Sequence, residues 1–81
     1  MTILRNRTAQ ATHVYFDSGR IHVRLSDGRE ISAPLDWFPR LQHATDAQRR
    51  QWELIGQGVG IHWETIDEDI SVAGLLGLPN D

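Results

Sequence analysis

The stretch THVYFDSGRIHVRLSDGREISA, residues 12–33, decides the fold of this chain, because apolar and polar residues alternate along it. Alternation with a period of two places successive side chains on opposite faces of a β-strand. Two interruptions, Asp17-Ser18-Gly19-Arg20 and Ser26-Asp27-Gly28, consist of residues that are typical of turns. The pattern predicts three strands of an antiparallel meander with one buried face and one face in water.

The lengths of the two turns predict which residues face each other. A three-residue loop at 26–28, with its glycine in the left-handed region, pairs Val23 with Ile31. A four-residue loop at 17–20 pairs Val14 with Val23. All the apolar side chains then share one face, whereas a slip of one residue in either pairing would expose them.

Helical spacing follows the meander. Asp36 is the predicted N-cap of a first helix, with Pro39 in its first turn, where a missing N–H costs nothing. Thr45 and Gln48 have the spacing of a capping box, which predicts a second helix over about 46–55 that ends at a glycine. Trp52 and Ile55 would face inward on this helix, and Asp46 would pair with Arg50.

A glycine-rich connector leads to a predicted fourth strand at 61–64. Asp69 or Ser71 would then cap a last short helix at 72–76. The predicted fold class is α+β, a small antiparallel meander of three strands plus a short fourth, packed against two or three short helices. We assign residues 1–10 to an N-terminal arm, 11–78 to a single domain and 79–81 to a tail.

Size and composition restrict the class of protein. Eighty-one residues suffice for one domain, and 40% hydrophobic with 23% charged residues is a globular composition. The absence of cysteine excludes disulfides and thiolate metal sites and favours a cytoplasmic location. No secretory signal or membrane-spanning run is recognised, so we expect no membrane partner.

Charge is distributed unevenly along the chain. All eight basic residues are arginines at or before position 50, and residues 1–50 carry a net +3 because they also contain five acids. Residues 51–81 contain six acids and no base, a net −6. Such a division can orient a charged partner, although neither value is large enough to indicate nucleic acid.

Three apparent motifs do not predict catalysis or a cofactor. The glycines of Gly56-Gln57-Gly58-Val59-Gly60 follow a predicted helix and precede a strand, the reverse of a dinucleotide-binding loop. His62, Glu64, Asp67 and Asp69 lack the spacing of a calcium loop, so we expect no metal. Ser18 and Ser26 are turn residues and Ser71 is a capping candidate, and we expect no catalytic residues and no enzyme activity.

The outer face of the predicted meander is the strongest candidate for binding a partner. Tyrosine and arginine are enriched at interface hot spots, and here they are flanked by histidines. A solvated sheet surface is the competing interpretation. The residues predicted to bind a partner protein are His13, Tyr15, His22, Arg24, Trp37, Asp67, Glu68 and Asp69.

Two closely spaced helices also allow a nucleic-acid hypothesis. In it, Arg40, Arg49 and Arg50 would contact phosphates of a nucleic acid. The predicted second helix lacks a set of side chains directed at base edges, so we do not favour this alternative. In a further alternative, Asp67-Glu68-Asp69 imitates phosphate and the chain inhibits a nucleic-acid enzyme.

From about Val14 to Leu76 the chain resembles the bacterial family called domain of unknown function 2442. The resemblance lies in Asp27-Gly28-Arg29, the run from Pro34 to Leu41, Ala44-Thr45, Gln48-Arg49 with Trp52-Glu53-Leu54, Gly58, the run from Gly60 to Glu64, the run from Asp67 to Val72, and Gly74-Leu75-Leu76. It implies an α+β fold with an antiparallel sheet beside short helices. It also implies membership of a two-gene pair with another small protein, as in toxin–antitoxin operons, and no agreed catalytic residues. We therefore expect a non-catalytic protein-binding module, antitoxin-like or accessory, with oligomeric state left open.

Overall fold

Two three-stranded antiparallel sheets and three one-turn helices form the part of the chain that the computed structural model describes, residues 9–77. The elements, in chain order, are β1 (Ala11–Asp17), β2 (Arg20–Leu25), β3 (Glu30–Pro34), α1 (Pro39–Gln42), α2 (Asp46–Arg49), β4 (Trp52–Ile55), β5 (Gly60–Trp63), β6 (Glu68–Ser71) and α3 (Val72–Leu75). The predicted α+β class is confirmed. Most of the proposed N-terminal arm and the tail lie outside the described residues.

The first sheet, in the order β1-β2-β3, has the predicted register. Val14 pairs with Val23, which also pairs with Ile31. The loop at 26–28 has the predicted left-handed glycine. The loop at 17–20 is shorter than predicted, because Asp17 and Arg20 pair and leave a two-residue turn in which both residues have positive φ. This turn matches the twist of the flanking strands. The pairing therefore extends by one residue pair, and the predicted register is unchanged.

The prediction of a helix over 46–55 is wrong beyond its first turn. The helix α2 stops at Arg49, and the chain then enters β4, which pairs with β5. Ile55, predicted to face inward, is 43% exposed. The predicted fourth strand at 61–64 is present as β5, and two strands that we did not predict, β4 and β6, flank it in a second sheet in the order β4-β5-β6. Cross-strand pairing, which the local spacing of apolar residues does not reveal, decides the conformation here.

Two of the predicted helix caps are present. The Thr45 hydroxyl accepts a hydrogen bond from the Gln48 backbone N–H, and the Gln48 side chain accepts one from Thr45, which confirms the capping box. Ser71 caps α3, where its side chain accepts from a backbone N–H. Asp36 was wrongly predicted as an N-cap, because it lies inside a 3₁₀ turn and α1 begins only at Pro39. Because α2 is short, Asp46 forms its ion pair with Arg49 and not with Arg50, the predicted partner.

The core lies between the inner faces of the two sheets and the helices. Its buried members are Ala9, Ala11, Val14, Ile21, Val23, Leu25, Ala33, Leu35, Leu41, Ile61, Trp63, Ile70 and Val72. Burial of the alternate positions of β2 leaves its remaining side chains on the outer face, where the candidate site lies. Among residues 9–77, no helix has the length and apolar character needed to span a membrane.

Candidate functional site

The outer face of the first sheet brings together four of the predicted partner-binding residues. His13 pairs with Arg24 across β1 and β2, and Tyr15 pairs with His22 in the neighbouring row. The alternation that buries Val14 between His13 and Tyr15 places these side chains on the opposite, outer surface. The four side chains therefore share one face of the sheet, as the predicted register requires.

Their aromatic rings form a continuous series of contacts. The rings of Tyr15 and His22 stack with centroids 4.6 Å apart, and those of His13 and Tyr15 stack at 6.2 Å. Trp52 of the second sheet meets His13 edge to face at 5.6 Å. We call these four residues, Trp52, His13, Tyr15 and His22, the ring ledge. The guanidinium carbon of Arg24 lies 5.8 Å from the centre of the Tyr15 ring.

Trp52 is the member of the ledge that the sequence did not predict. We placed it on a helix facing the core, whereas it starts β4 and is only partly buried. The signal available in the sequence was the pair of tryptophans at 52 and 63, which face each other across β4 and β5. Large side chains are common at such cross-strand positions.

The Glu30 carboxylate accepts hydrogen bonds from two side chains of this surface, those of Tyr15 and Arg24. The Tyr15 hydroxyl donates to the Glu30 carboxylate over 2.7 Å, and Arg24 Nε donates to the same carboxylate over 3.3 Å. The hydrogen bond to Glu30 raises the pKa of Tyr15, because the phenol is the donor. The hydrogen bond from Tyr15, and to a smaller extent that from Arg24, lowers the pKa of Glu30. Tyr15 therefore stays a neutral donor beside an ionised acceptor.

His22 is held from two sides. Its Nε2 lies 2.5 Å from Asp17 Oδ1 and its Nδ1 lies 2.7 Å from Ser32 Oγ. The His22 side chain is 13% exposed. Because the ring nitrogens are occupied, His22 offers a partner mainly its ring face. Of the four residues His13, Tyr15, His22 and Arg24, His13 and Arg24 are the exposed ones.

The remaining predicted partner-binding residues, Trp37, Asp67, Glu68 and Asp69, lie in a separate group. Trp37 is 67% exposed and lines a cleft of about 330 Å³ together with Leu75 and Asp69. Asp67 occupies the turn before β6 with φ 53°, and Glu68 and Asp69 begin that strand. The sequence-based set is therefore divided between two surfaces.

Asp69 also belongs to a second histidine site. His62, in the middle strand of the second sheet, contacts Asp69 through Nδ1 and lies 2.7 Å from Glu64 Oε1 through Nε2. Hydrogen bonds to Glu64 and then to Asp69 raise the pKa of His62 to about 9. At neutral pH this imidazolium partly neutralises the acidic surface around it.

The three arginines of the nucleic-acid hypothesis have different surroundings. Arg40 donates to the backbone carbonyl of Asp67. Arg49 donates over 2.8 Å to each of two backbone carbonyls, those of Leu41 and Gln42. Arg50 is exposed and lines a groove together with Trp52, His13 and Tyr15 of the ledge. Two of the three arginines are thus engaged within the fold.

Comparison with known proteins identifies the family. The sequence model of the family described as protein of unknown function (DUF2442) matches residues 11–78, and the chain belongs to this family. No curated protein matches the chain.

Two solved structures are similar. A protein of unknown function from Rhodospirillum rubrum ATCC 11170, solved by crystallography, is 36% identical with a TM-score of 0.73, and the match covers 90% of this chain and 92% of that one. An uncharacterised protein from Chromobacterium violaceum, solved by NMR in solution, is 33% identical with a TM-score of 0.71. That match covers 84% of this chain and 64% of the other, so the chain spans about two thirds of that relative.

Proposed function

We propose that this chain is a non-catalytic protein-binding module that docks a partner on the ring ledge and Arg24. In this proposal it is the accessory or antitoxin-like member of a bacterial two-gene pair, which acts in the cytoplasm. The observation that supports the docking surface is the unbroken series of ring contacts from Trp52 to His22 across the two sheets. The resemblance to the family supports the two-gene pair.

The composition of the ledge suits protein recognition. Tyrosine, tryptophan and arginine carry most of the binding energy in many interfaces, and the two aromatic residues supply large contact areas with few rotatable bonds. The hydrogen bonds from Tyr15 and Arg24 to Glu30 already order these side chains. A partner therefore binds them at a smaller cost in side-chain entropy.

The same hydrogen bonds favour binding over catalysis. A general acid or base needs a titratable atom directed at the substrate. The hydroxyl of Tyr15 is directed at Glu30, and both ring nitrogens of His22 face residues of the chain itself. These groups maintain the shape of the surface.

The test is co-expression with the product of the adjacent gene, followed by affinity capture and gel filtration. We expect one stable complex, which Tyr15→Ala and Arg24→Ala abolish without changing the far-UV circular dichroism spectrum. Arg20→Ala is the matched control, because Arg20 is exposed on the same strand as Arg24 at its other end. A partner that still binds both the Tyr15→Ala and the Arg24→Ala variants, or a clean monomer in the mixture, overturns the proposal.

Nucleic acid is the competing class of partner. Its binding through arginines weakens steeply as salt increases, since each phosphate contact releases counterions. A shift of random duplex at low salt that is lost in Arg50→Ala would favour a nucleic-acid-associated regulator over the protein-binding module.

A further inference from the structure

A groove of about 420 Å³ runs along the open side of β1. One wall consists of the four consecutive residues 13–16, and the other contains Asp46, Arg49, Arg50 and Trp52. Consecutive strand residues point to opposite faces, so a cavity lined by four in a row follows the edge of the strand and not one of its faces. We call this cavity the edge groove.

The hairpin register shows which backbone groups point into the edge groove. The pair Asp17–Arg20 flanks a two-residue turn and is therefore a hydrogen-bonded pair. Hydrogen-bonded and non-hydrogen-bonded pairs alternate in an antiparallel ladder. Tyr15 consequently exchanges its backbone bonds with His22, whereas Val14 and Phe16 direct their N–H and C=O groups away from β2.

These outward groups form an unpaired strand edge. Among the described elements, β1 pairs with β2 alone, since it is the terminal strand of its sheet. Proteins usually guard such edges with lysine, proline or a covering element. Residues 13–16 include neither lysine nor proline. Val14 lines the groove but is only 3% exposed, so its backbone groups are covered, whereas Phe16 is partly exposed and offers the accessible part of this edge.

The opposite wall carries one uncommitted positive charge. Asp46 lies 3.5 Å from Arg49, whose guanidinium also binds two backbone carbonyls. Arg50 is exposed and has no ion pair within residues 9–77. A carboxylate that enters the groove would meet Arg50 at its side and the aromatic surface of Trp52 next to it.

We propose that the edge groove takes an extended, acidic segment of a partner protein, which adds to β1 as a further strand and places a carboxylate on Arg50. This inference rests on the proposed protein-binding function and specifies the chemistry of the partner. Main-chain hydrogen bonds to Phe16 supply affinity, and the pairing of charge with Arg50 supplies selectivity, as in other cases of strand addition. The arrangement extends the ledge, because Trp52, His13 and Tyr15 border the groove as well.

The experiment uses a phage-displayed library of random linear peptides, panned on the full chain. A selected peptide, made synthetically, is then titrated against the wild type, Arg50→Glu and the matched control Arg20→Glu. Arg20 has the same charge, is exposed and lies outside the groove. Exchange of backbone amide hydrogens is followed by NMR with and without the peptide.

We expect selected peptides that contain Asp or Glu and lack a central proline. Arg50→Glu should weaken binding by about tenfold or more, since it reverses a charge at the contact, whereas Arg20→Glu changes it less than about twofold. The amide of Phe16 should exchange more slowly in the complex, and that of Tyr15, already bonded to β2, should not change. No selected peptide, equal binding to Arg50→Glu, or unchanged exchange at Phe16 would each overturn the inference.

The outcomes also separate this inference from the proposed function. Suppose that binding is lost in Arg24→Ala but retained in Arg50→Glu, and that amide exchange at Phe16 does not change. This result would support the ledge as the docking surface and refute the added strand. Slow exchange at Phe16 that depends on the concentration of the chain alone indicates a second copy in the groove and refutes a partner strand.

Discussion

The indole Nε1 of Trp63 donates a hydrogen bond to the backbone carbonyl of Arg49 over 3.0 Å, which joins the middle strand of the second sheet to the end of α2. Trp63 is fully buried, and its ring lies edge-on to Phe16 of the first sheet at 6.4 Å. A buried indole N–H requires such an acceptor. One side chain therefore connects both sheets and the helix that precedes β4.

Replacement of Trp63 by phenylalanine should lower the free energy of unfolding by about 2–3 kcal/mol, because it leaves a cavity and deprives the Arg49 carbonyl of its donor. Urea denaturation followed by far-UV circular dichroism measures the change. Trp37→Phe is the matched control, since Trp37 is 67% exposed, and should stay within about 0.5 kcal/mol of the wild type. Equal effects of the two substitutions would contradict this account.

Arg49 should tolerate lysine poorly, although both residues are cationic. Its guanidinium reaches the carbonyls of Leu41 and Gln42 simultaneously, and the side chain is 19% exposed. A lysine ammonium cannot reproduce that planar geometry, so Arg49→Lys should destabilise the fold by about 1–2 kcal/mol. Arg50→Lys, at an exposed neighbour, should be neutral in the same urea titration. A neutral Arg49→Lys would mean that its hydrogen bonds add little to stability.

The first sheet could be predicted in detail because its physical determinants are local. Alternation over 12–33 and two short turns specify both the buried face and the register, so the rows Tyr15–His22 and His13–Arg24 followed directly. The contact of His13 with Trp52 could not be predicted in the same way, because it joins strands 39 positions apart that belong to different sheets.

The strand β4 was missed for a different reason. Trp52 and Ile55 are three residues apart, a spacing that fits one face of a helix as well as a short strand. The strand β4 has no residue that is fully buried, so alternation leaves no clear trace in its four residues. Its conformation follows from pairing with Ile61 and Trp63 of β5, where the apolar residues are concentrated.

Gly58 should be far less replaceable than Gly28, although both have φ near 100°, at +100° and +94°. A Cβ on Gly58 would lie 2.5 Å from the backbone oxygen of Ala11, whereas one on Gly28 would meet nothing within 4 Å. Gly28→Ala should therefore cost only the left-handed backbone, about 1–2 kcal/mol. Gly58→Ala must also displace the start of β1, and we expect a loss of about 3 kcal/mol or more. Thermal unfolding of the two variants in parallel measures the difference. Equal losses would show that the segment around Gly58 can move away from the start of β1 at no cost in stability.

His62 should make stability depend on pH in the weakly alkaline range. Hydrogen bonds to Glu64 and Asp69 favour the protonated ring and raise its pKa from 6.5 to about 9 in the folded state. Because the folded pKa is the higher one, the contribution of His62 is complete below pH 6.5 and is lost as the pH rises to about 9. The difference in unfolding free energy between the wild type and His62→Gln should shrink across this interval.

Urea titrations at a series of pH values measure that difference, with His43→Gln as the control at an exposed histidine. NMR titration of the His62 ring protons provides the independent measurement, with an expected midpoint near 9. A midpoint near 6.5, or a difference between wild type and His62→Gln that does not change with pH, would mean that Glu64 and Asp69 do not stabilise the imidazolium in solution. In that case the acidic surface of the second sheet would keep its full negative charge at neutral pH.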